Sequence, residues 1–189
     1  KDRAGKSIAE MADMKKGGAV AFSDDGDPVY NSQVMRVALE YSSMLGMPII
    51  NHEEDLELSR PGHMNEGEVS TRLGLDGTPG IAEETMIARD ILLAGFTGGH
   101  VHVAHISTRK AVDLIRQAKK DGIHVTTEVC AHHFDLTDEE IELCTFFFLT
   151  KYRNKYEEYF CEVLGIDSPP ARKYLRAALG INSGALEGS

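Results

Sequence analysis

Three short stretches of this sequence place a metal-competent side chain directly after an apolar run. They are Ala21-Phe22-Ser23-Asp24-Asp25-Gly26, Ile49-Ile50-Asn51-His52-Glu53-Glu54 and Val101-His102-Val103-Ala104-His105-Ile106-Ser107-Thr108. A carboxylate and two imidazoles make a catalytic zinc set when they converge: three protein ligands, with water in the fourth position. Zinc in such a site lowers the pKa of its water to about 7 and supplies hydroxide at neutral pH. Each motif alone is weak. Asp-Asp-Gly is also an ordinary turn sequence, and a single His is more often a hydrogen-bonded, half-buried group than a ligand. The recurrence of the pattern at three strand ends is what favours a metal.

Parity selects among the histidines of the third stretch. Side chains alternate faces along a strand, so Val101, Val103 and His105 share one face and His100 and His102 the other. Valines followed by a terminal His suit a barrel interior that opens into a site. His100 and His102 are then expected to point toward a helix layer. His132 and His133 are adjacent, so they diverge on either a helix or a strand and are not expected to share a metal. Glu53, Glu54, Glu83 and Glu84 read as solvated or salt-bridged.

The elements that must position these groups alternate. Ile8, Met11 and Met14 mark a helix over residues 4–15, stopped by Gly17-Gly18, with a strand over 19–22 after it. Ser32 is expected to cap a helix that ends at Gly46, and Pro48-Ile49-Ile50 to form the next strand. Residues 53–79 are polar, carry four glycines and two prolines, and read as one long loop. A helix over 82–94, a strand over 101–104, a helix capped by Thr108 and stopped by Gly122, and a strand over 125–129 follow. Strands separated by helices of this length mean parallel βαβ units, whose C-terminal strand ends converge on the ligand-binding face.

Composition bounds the function. The chain has 189 residues, 20 Lys+Arg against 30 Asp+Glu, and a formal net charge of −10. An acidic balance argues against nucleic acid or an anionic membrane as partner. No apolar run approaches the ~18 residues of a transmembrane helix. Three cysteines, Cys130, Cys144 and Cys161, show no CxxC spacing, so a reducing, cytoplasmic setting is expected. The sequence opens on Lys1 with no signal-like segment, as expected of a chain that begins inside a longer protein.

Charge and aromatics divide the chain near residue 140. Residues 1–140 hold 24 of the acids and 14 of the bases, so the whole net charge lies there. Residues 141–189 are neutral and hold 8 of the 13 aromatics. In that tail Tyr152, Tyr156, Tyr159, Phe160 and Val163 share one helical face. A second helix, capped by Ser168, carries Tyr174, Leu175, Ala178 and Leu179. Two segments are therefore expected: 1–140, and a helical tail 141–189.

At the three motifs the sequence resembles the dihydroorotases of the amidohydrolase superfamily, the class in which an aspartate bridges two metals. The matching stretches are AFSDDGDPVYNSQVMRVALEY, GMPIINHEEDLELS, MNEGEVSTRLGLDGTPGIAEETMIARDILLAG, HVHVAHISTRKAVDLIRQAKKDGIHVTTEV and HHFDLT, which cover nearly all of residues 1–140. The resemblance implies about strands four to seven of a (β/α)₈ TIM barrel. It implies interconversion of N-carbamoyl-L-aspartate and dihydroorotate in pyrimidine biosynthesis. Asp25 matches the bridging carboxylate, His52 and His105 match the histidines of the more exposed metal, and Asp24 matches a neighbour that is not a ligand. The implied cofactor is zinc, two ions in the family and one complete site in this chain.

The departures define the alternatives. The first-strand HxH pair, the first-strand Arg that grips substrate carboxylate and the eighth-strand proton-shuttling Asp match nothing in this sequence. A fragment with impaired activity is expected. Hydantoinases and allantoinases share the HxST region but carry a carboxylated Lys where Asp25 stands. A non-catalytic homologue is the other alternative, its open strand edges covered by a second copy or a complementing chain.

Overall fold

The computed structural model describes residues 5–24, 26–139 and 141. The expected tail helices over 152–179 lie outside them, as does Asp25. The elements in chain order are α1 (Met11–Lys16), β1 (Phe22–Ser23), α2 (Ser32–Met44), β2 (Ile49–Asn51), α3 (Leu56–Ser59), β3 (Met64–Asn65), α4 (Glu68–Leu73), β4 (Gly77–Thr78), α5 (Ile81–Thr97), β5 (Val101–Val103), α6 (Arg109–Lys120), β6 (Val125–Thr127) and α7 (His132–Asp135). The chain divides into two units, residues 1–58 with 80–134, and residues 59–79 with 135–189.

The first unit is built on a four-stranded sheet in the order β1-β2-β5-β6. Every pairing is parallel, with Phe22 opposite Ile49, Ile49 opposite Val101 and Val101 opposite Val125. Parallel neighbours need a crossover, and α2, α5 and α6 supply it. Apolar side chains decide which face those helices cover. Ile49, Val101, Val103 and Val125 form one buried cluster with Met35 and Leu39 of α2, Ile87 and Ile91 of α5, and Ala111 and Ile115 of α6. Fully burying each such Val, Ile or Leu is worth about 1.5–3 kcal/mol.

This packing reverses the expected parity. Val101 and Val103 are completely buried against the helix layer, not in a barrel interior. The opposite face carries Ile50, His102 and Thr126, which sit side by side across the sheet and are half-buried. His102 therefore lies on the interior side. Its Nδ1 is 2.9 Å from Thr126 Oγ1, and His100 Nε2 reaches the same hydroxyl at 2.8 Å. His100 also stacks on His124, with ring centroids 4.0 Å apart. A strand gives its more apolar alternation to the thicker layer, and here that layer is helical.

Element ends also differ from expectation for identifiable reasons. Residues 19–22 do not form a full strand: Ala19 N–H bonds the Met14 carbonyl and Val20 is exposed, so pairing begins only at Phe22, whose N–H donates to the Pro48 carbonyl. Asn31, not Ser32, caps α2, its side-chain oxygen accepting from Gln33 N (2.9 Å) and Val34 N (3.1 Å). Asn and Ser are equally good caps, so composition could not choose. Gly95 does not stop α5, which runs on to Thr97 and ends at left-handed Gly98.

Residues 53–79 are not one structureless loop. In the second unit β3 pairs in parallel with β4, and Met64, Val69 and Leu73 form a small core with Leu75 and Ile141. Gly77 permits the pairing, because a Cβ there would lie 2.4 Å from the Glu66 Cα.

Leu39 is fully buried and Leu92 is 73% exposed. In urea denaturation, Leu39→Ala is expected to destabilise the chain by about 2–5 kcal/mol, while Leu92→Ala stays within about 0.5 kcal/mol.

Candidate metal centre

The parallel register brings the ends of β2 and β5 level with each other. His52 follows β2 by one residue and His105 follows β5 by two. His52 Nδ1 lies 3.0 Å from His105 Nε2, and the rings meet edge to face at 64°. Both side chains are half-buried. The pair forms because His105 breaks the alternation of its strand: its φ is +36°, the only left-handed non-glycine backbone among the described residues. Such a conformation is uncommon outside glycine and persists where the surroundings over-determine it. Here the chain is pinned on both sides. Ala104 N–H donates to the Asn51 carbonyl at 3.1 Å, and Ile106 N–H to the Glu128 carbonyl at 3.0 Å.

Asp25 lies outside the described residues, so its distance to the histidines is not part of this geometry. Asp24 directly follows β1 and Gly26 turns the chain with φ +79°. Among the described residues no group of three His, Cys, Asp or Glu is arranged to hold a metal. What they bring together is the His52–His105 pair. That pair fits a zinc ion by donor chemistry and by spacing. Two nitrogens bound tetrahedrally to one zinc at about 2.0–2.1 Å lie about 3.3 Å apart. Glu54 completes the fit: its Oε2 is 3.0 Å from His52 Nε2, on the ring edge away from His105. A carboxylate holding the far nitrogen of a ligating imidazole fixes its tautomer and orientation. The sequence reads Glu54 as solvated or salt-bridged, and it pairs with His52. Its i+2 spacing from His52 just past a strand end is the signal for this role.

His132 and His133 sit exposed on α7 with ring centroids 4.3 Å apart. A separate groove in the second unit is lined by Asn65, Glu68, Arg72, Leu136, Thr137 and Asp138, and by none of the candidate ligands.

Behind the pair lies a polar network that the sequence had not indicated. Glu53 is 5% exposed and Asp90 completely buried. Asn51 Nδ2 donates to Glu53 Oε2 at 3.1 Å and to Asp90 Oδ2 at 2.9 Å, while its oxygen accepts from Val29 N at 3.0 Å. Arg89 Nε pairs with Asp90 Oδ1 at 2.7 Å. Burial, then the neighbouring Asp90 charge, pushes the Glu53 carboxyl well above the usual range. Burial also raises Asp90, opposed by Arg89. Arg89 pairs with Asp90 and opposes its rise, so Glu53 is the more strongly raised of the two carboxyls. The available signal was Asp90 itself, an acid in the buried phase of α5 with Met86, Ile87 and Ile91.

D-hydantoinase from Thermus sp. superposes with a TM-score of 0.57 at 21% identity, covering 72% of this chain and 32% of that one. Dihydropyrimidinase from Brevibacillus agri gives 0.57 at 17% identity over the same shares. The fold is thus part of an α/β TIM barrel. A family model described as dihydro-orotase-like matches residues 2–111, and the chain belongs to that family. Curated relatives named dihydroorotase are 61% identical in Pelotomaculum thermopropionicum and 57% in Syntrophus aciditrophicus, each over 137 residues, or 72% of this chain. The chain spans about a third of those relatives' length, 32% in each.

The raised Glu53 carboxyl sets a pH dependence. The folded state binds this proton more tightly than the unfolded state, whose Glu titrates near pH 4.3. The resulting stability is complete below about pH 4.3 and is lost as pH rises through the higher folded value. Wild type should therefore lose stability relative to Glu53→Gln in urea midpoints as pH rises above the unfolded value and through the raised folded one. A difference that does not change with pH would contradict the raised Glu53 carboxyl.

Proposed function

We propose that this chain carries the strand-end portion of a zinc-dependent cyclic amidohydrolase centre that interconverts N-carbamoyl-L-aspartate and dihydroorotate. The observation that carries the reading is the convergence of His52 and His105 at the ends of adjacent parallel strands, with Glu54 behind His52. Asp25, His52 and His105 would hold the metal. When bound, zinc supplies Lewis-acid polarisation of the amide carbonyl and a water of pKa near 7.

The chain's own part is orientation. Glu54 holds His52 Nε2, which leaves Nδ1 facing His105. Half-burial of both rings lowers the local dielectric and strengthens charge interactions around them. The proton delivered to the leaving nitrogen needs a further acid, and the family's shuttle Asp matches no residue of this sequence. Identity favours dihydroorotate over a hydantoin as the substrate: the relatives named dihydroorotase reach 61%, against 21% for D-hydantoinase. Cys130 is a free thiol, which suits a cytoplasmic setting. No helix among the described residues is long and apolar enough to cross a membrane.

Two measurements test the proposal. After zinc loading and dialysis, wild type is expected to retain the metal fully, while Asp25→Ala, His52→Ala and His105→Ala bind it more weakly and retain less; unchanged zinc content in any one removes that residue from the ligand set. Dihydroorotate hydrolysis by the zinc-loaded chain alone is expected below about 0.1 s⁻¹. A typical enzyme turns over at about 10 s⁻¹, and a missing proton-transfer group costs about 10²–10⁴-fold. Turnover at ordinary enzyme rates would overturn the assigned dependence on the shuttle.

A further inference from the structure

We propose that helix α5 is the positioning element of the centre, holding through Glu83 and the Arg89–Asp90 pair the segments that carry His52 and His105 and the loop at Val29–Tyr30. The inference rests on the metal-centre reading above and adds residues that touch no metal.

Glu83 works on the His105 segment. Its carboxylate accepts from Ser107 N–H at 2.9 and 3.1 Å and from Thr108 N–H at 3.2 Å. It also accepts from the hydroxyls of Ser107 and Thr108. Thr108 is the N-cap of α6, where its own hydroxyl oxygen accepts from Ala111 N at 3.1 Å. Glu83 therefore supplies a negative charge at a helix N-terminus from a neighbouring helix, a favourable placement against the α6 dipole. Ser107 and Thr108 lie two and three residues beyond left-handed His105, so this clamp fixes one side of the unusual turn. Charge-assisted hydrogen bonds of this kind are about twice as strong as neutral ones.

Seven residues on, two helical turns along the same face, Asp90 works on the His52 segment. It accepts from Asn51, the residue before His52, at 2.9 Å. The first turn of α5 also reaches the chain beyond His52, where Asp55 N–H donates to the Ala82 carbonyl at 2.9 Å. Arg89 works on the segment after Asp25. Its Nη2 donates to the Val29 carbonyl and its Nη1 to the Tyr30 carbonyl, both at 2.8 Å. Asn51 Oδ1 accepts from Val29 N, so that loop is tied to β2 as well. One rigid element thus sets two strand-end segments and the Val29–Tyr30 loop, which are otherwise far apart in sequence. Glu83 and Arg89 are positioning residues: they act on backbone, and through it on the imidazoles.

The test compares zinc affinity of the whole chain, by chelator competition at a temperature where every variant is fully folded. Glu83→Gln and Arg89→Lys are each expected to weaken zinc binding about tenfold, the usual scale for residues that support ligands. Leu92→Gln, on the exposed side of α5, is the control and leaves affinity unchanged. In a His105→Ala background, Glu83→Gln should have no further effect on affinity, because the residue it positions is gone. Unaltered affinity in Glu83→Gln and Arg89→Lys, or an equal loss with and without His105, would overturn the positioning role. If folded wild type binds no zinc, the metal-centre reading fails on its own. Positioning is then read from the magnetic resonance contact between the His52 and His105 rings of the metal-free chain: loss in Glu83→Gln supports it and persistence overturns it.

Discussion

The buried Asp90–Asn51 hydrogen bond is the contact on which the arrangement depends. It joins a helix to the strand end that carries His52, and it sits where water cannot replace it. Asn51 uses its amide fully, donating to Asp90 and Glu53 and accepting from Val29 N. Arg89 turns the same acid outward to the next loop. A buried ionic network of this kind is weak as a source of stability, since desolvation offsets much of the attraction. Its strength is geometric. Removing any member leaves a buried polar group unpaired, so the strand, the loop and the helix keep one mutual placement.

That constraint explains why a sheet of two- and three-residue strands can hold His52 and His105 in one arrangement. The apolar cluster beneath the sheet fixes which face each strand presents, but apolar contacts are non-directional. Hydrogen bonds from α5 supply the direction. His105 shows the result most clearly. On parity alone it belongs with Val101 and Val103 against the helices, and a left-handed residue turns it to meet His52 instead. The neighbouring bonds to Asn51, Glu128 and Glu83 hold that turn.

The order of elements was legible in the sequence, because apolar runs and capping residues recur at α/β spacing. Thr108 as a cap and Gly122 as a stop are local signals, and they hold. The candidate histidines were legible for the same reason: each follows a strand. What escaped was set by partners distant in sequence. The face given to Val101 and Val103 depends on where three helices pack. The short elements within residues 59–79 depend on a core of three residues that no periodicity announces. Glu53, Glu54 and Glu83 look alike as acids in a sequence, yet one is buried against Asn51, one backs an imidazole and one caps a neighbouring helix.

The central claim is that His52 and His105 bind one metal ion together. Zinc K-edge X-ray absorption of the zinc-loaded chain addresses it directly. The account predicts two imidazole nitrogens at about 2.0–2.1 Å with the remaining ligands oxygen, and loss of one imidazole in His105→Ala. A sulfur ligand at about 2.3 Å, or a spectrum unchanged by His105→Ala, would contradict it.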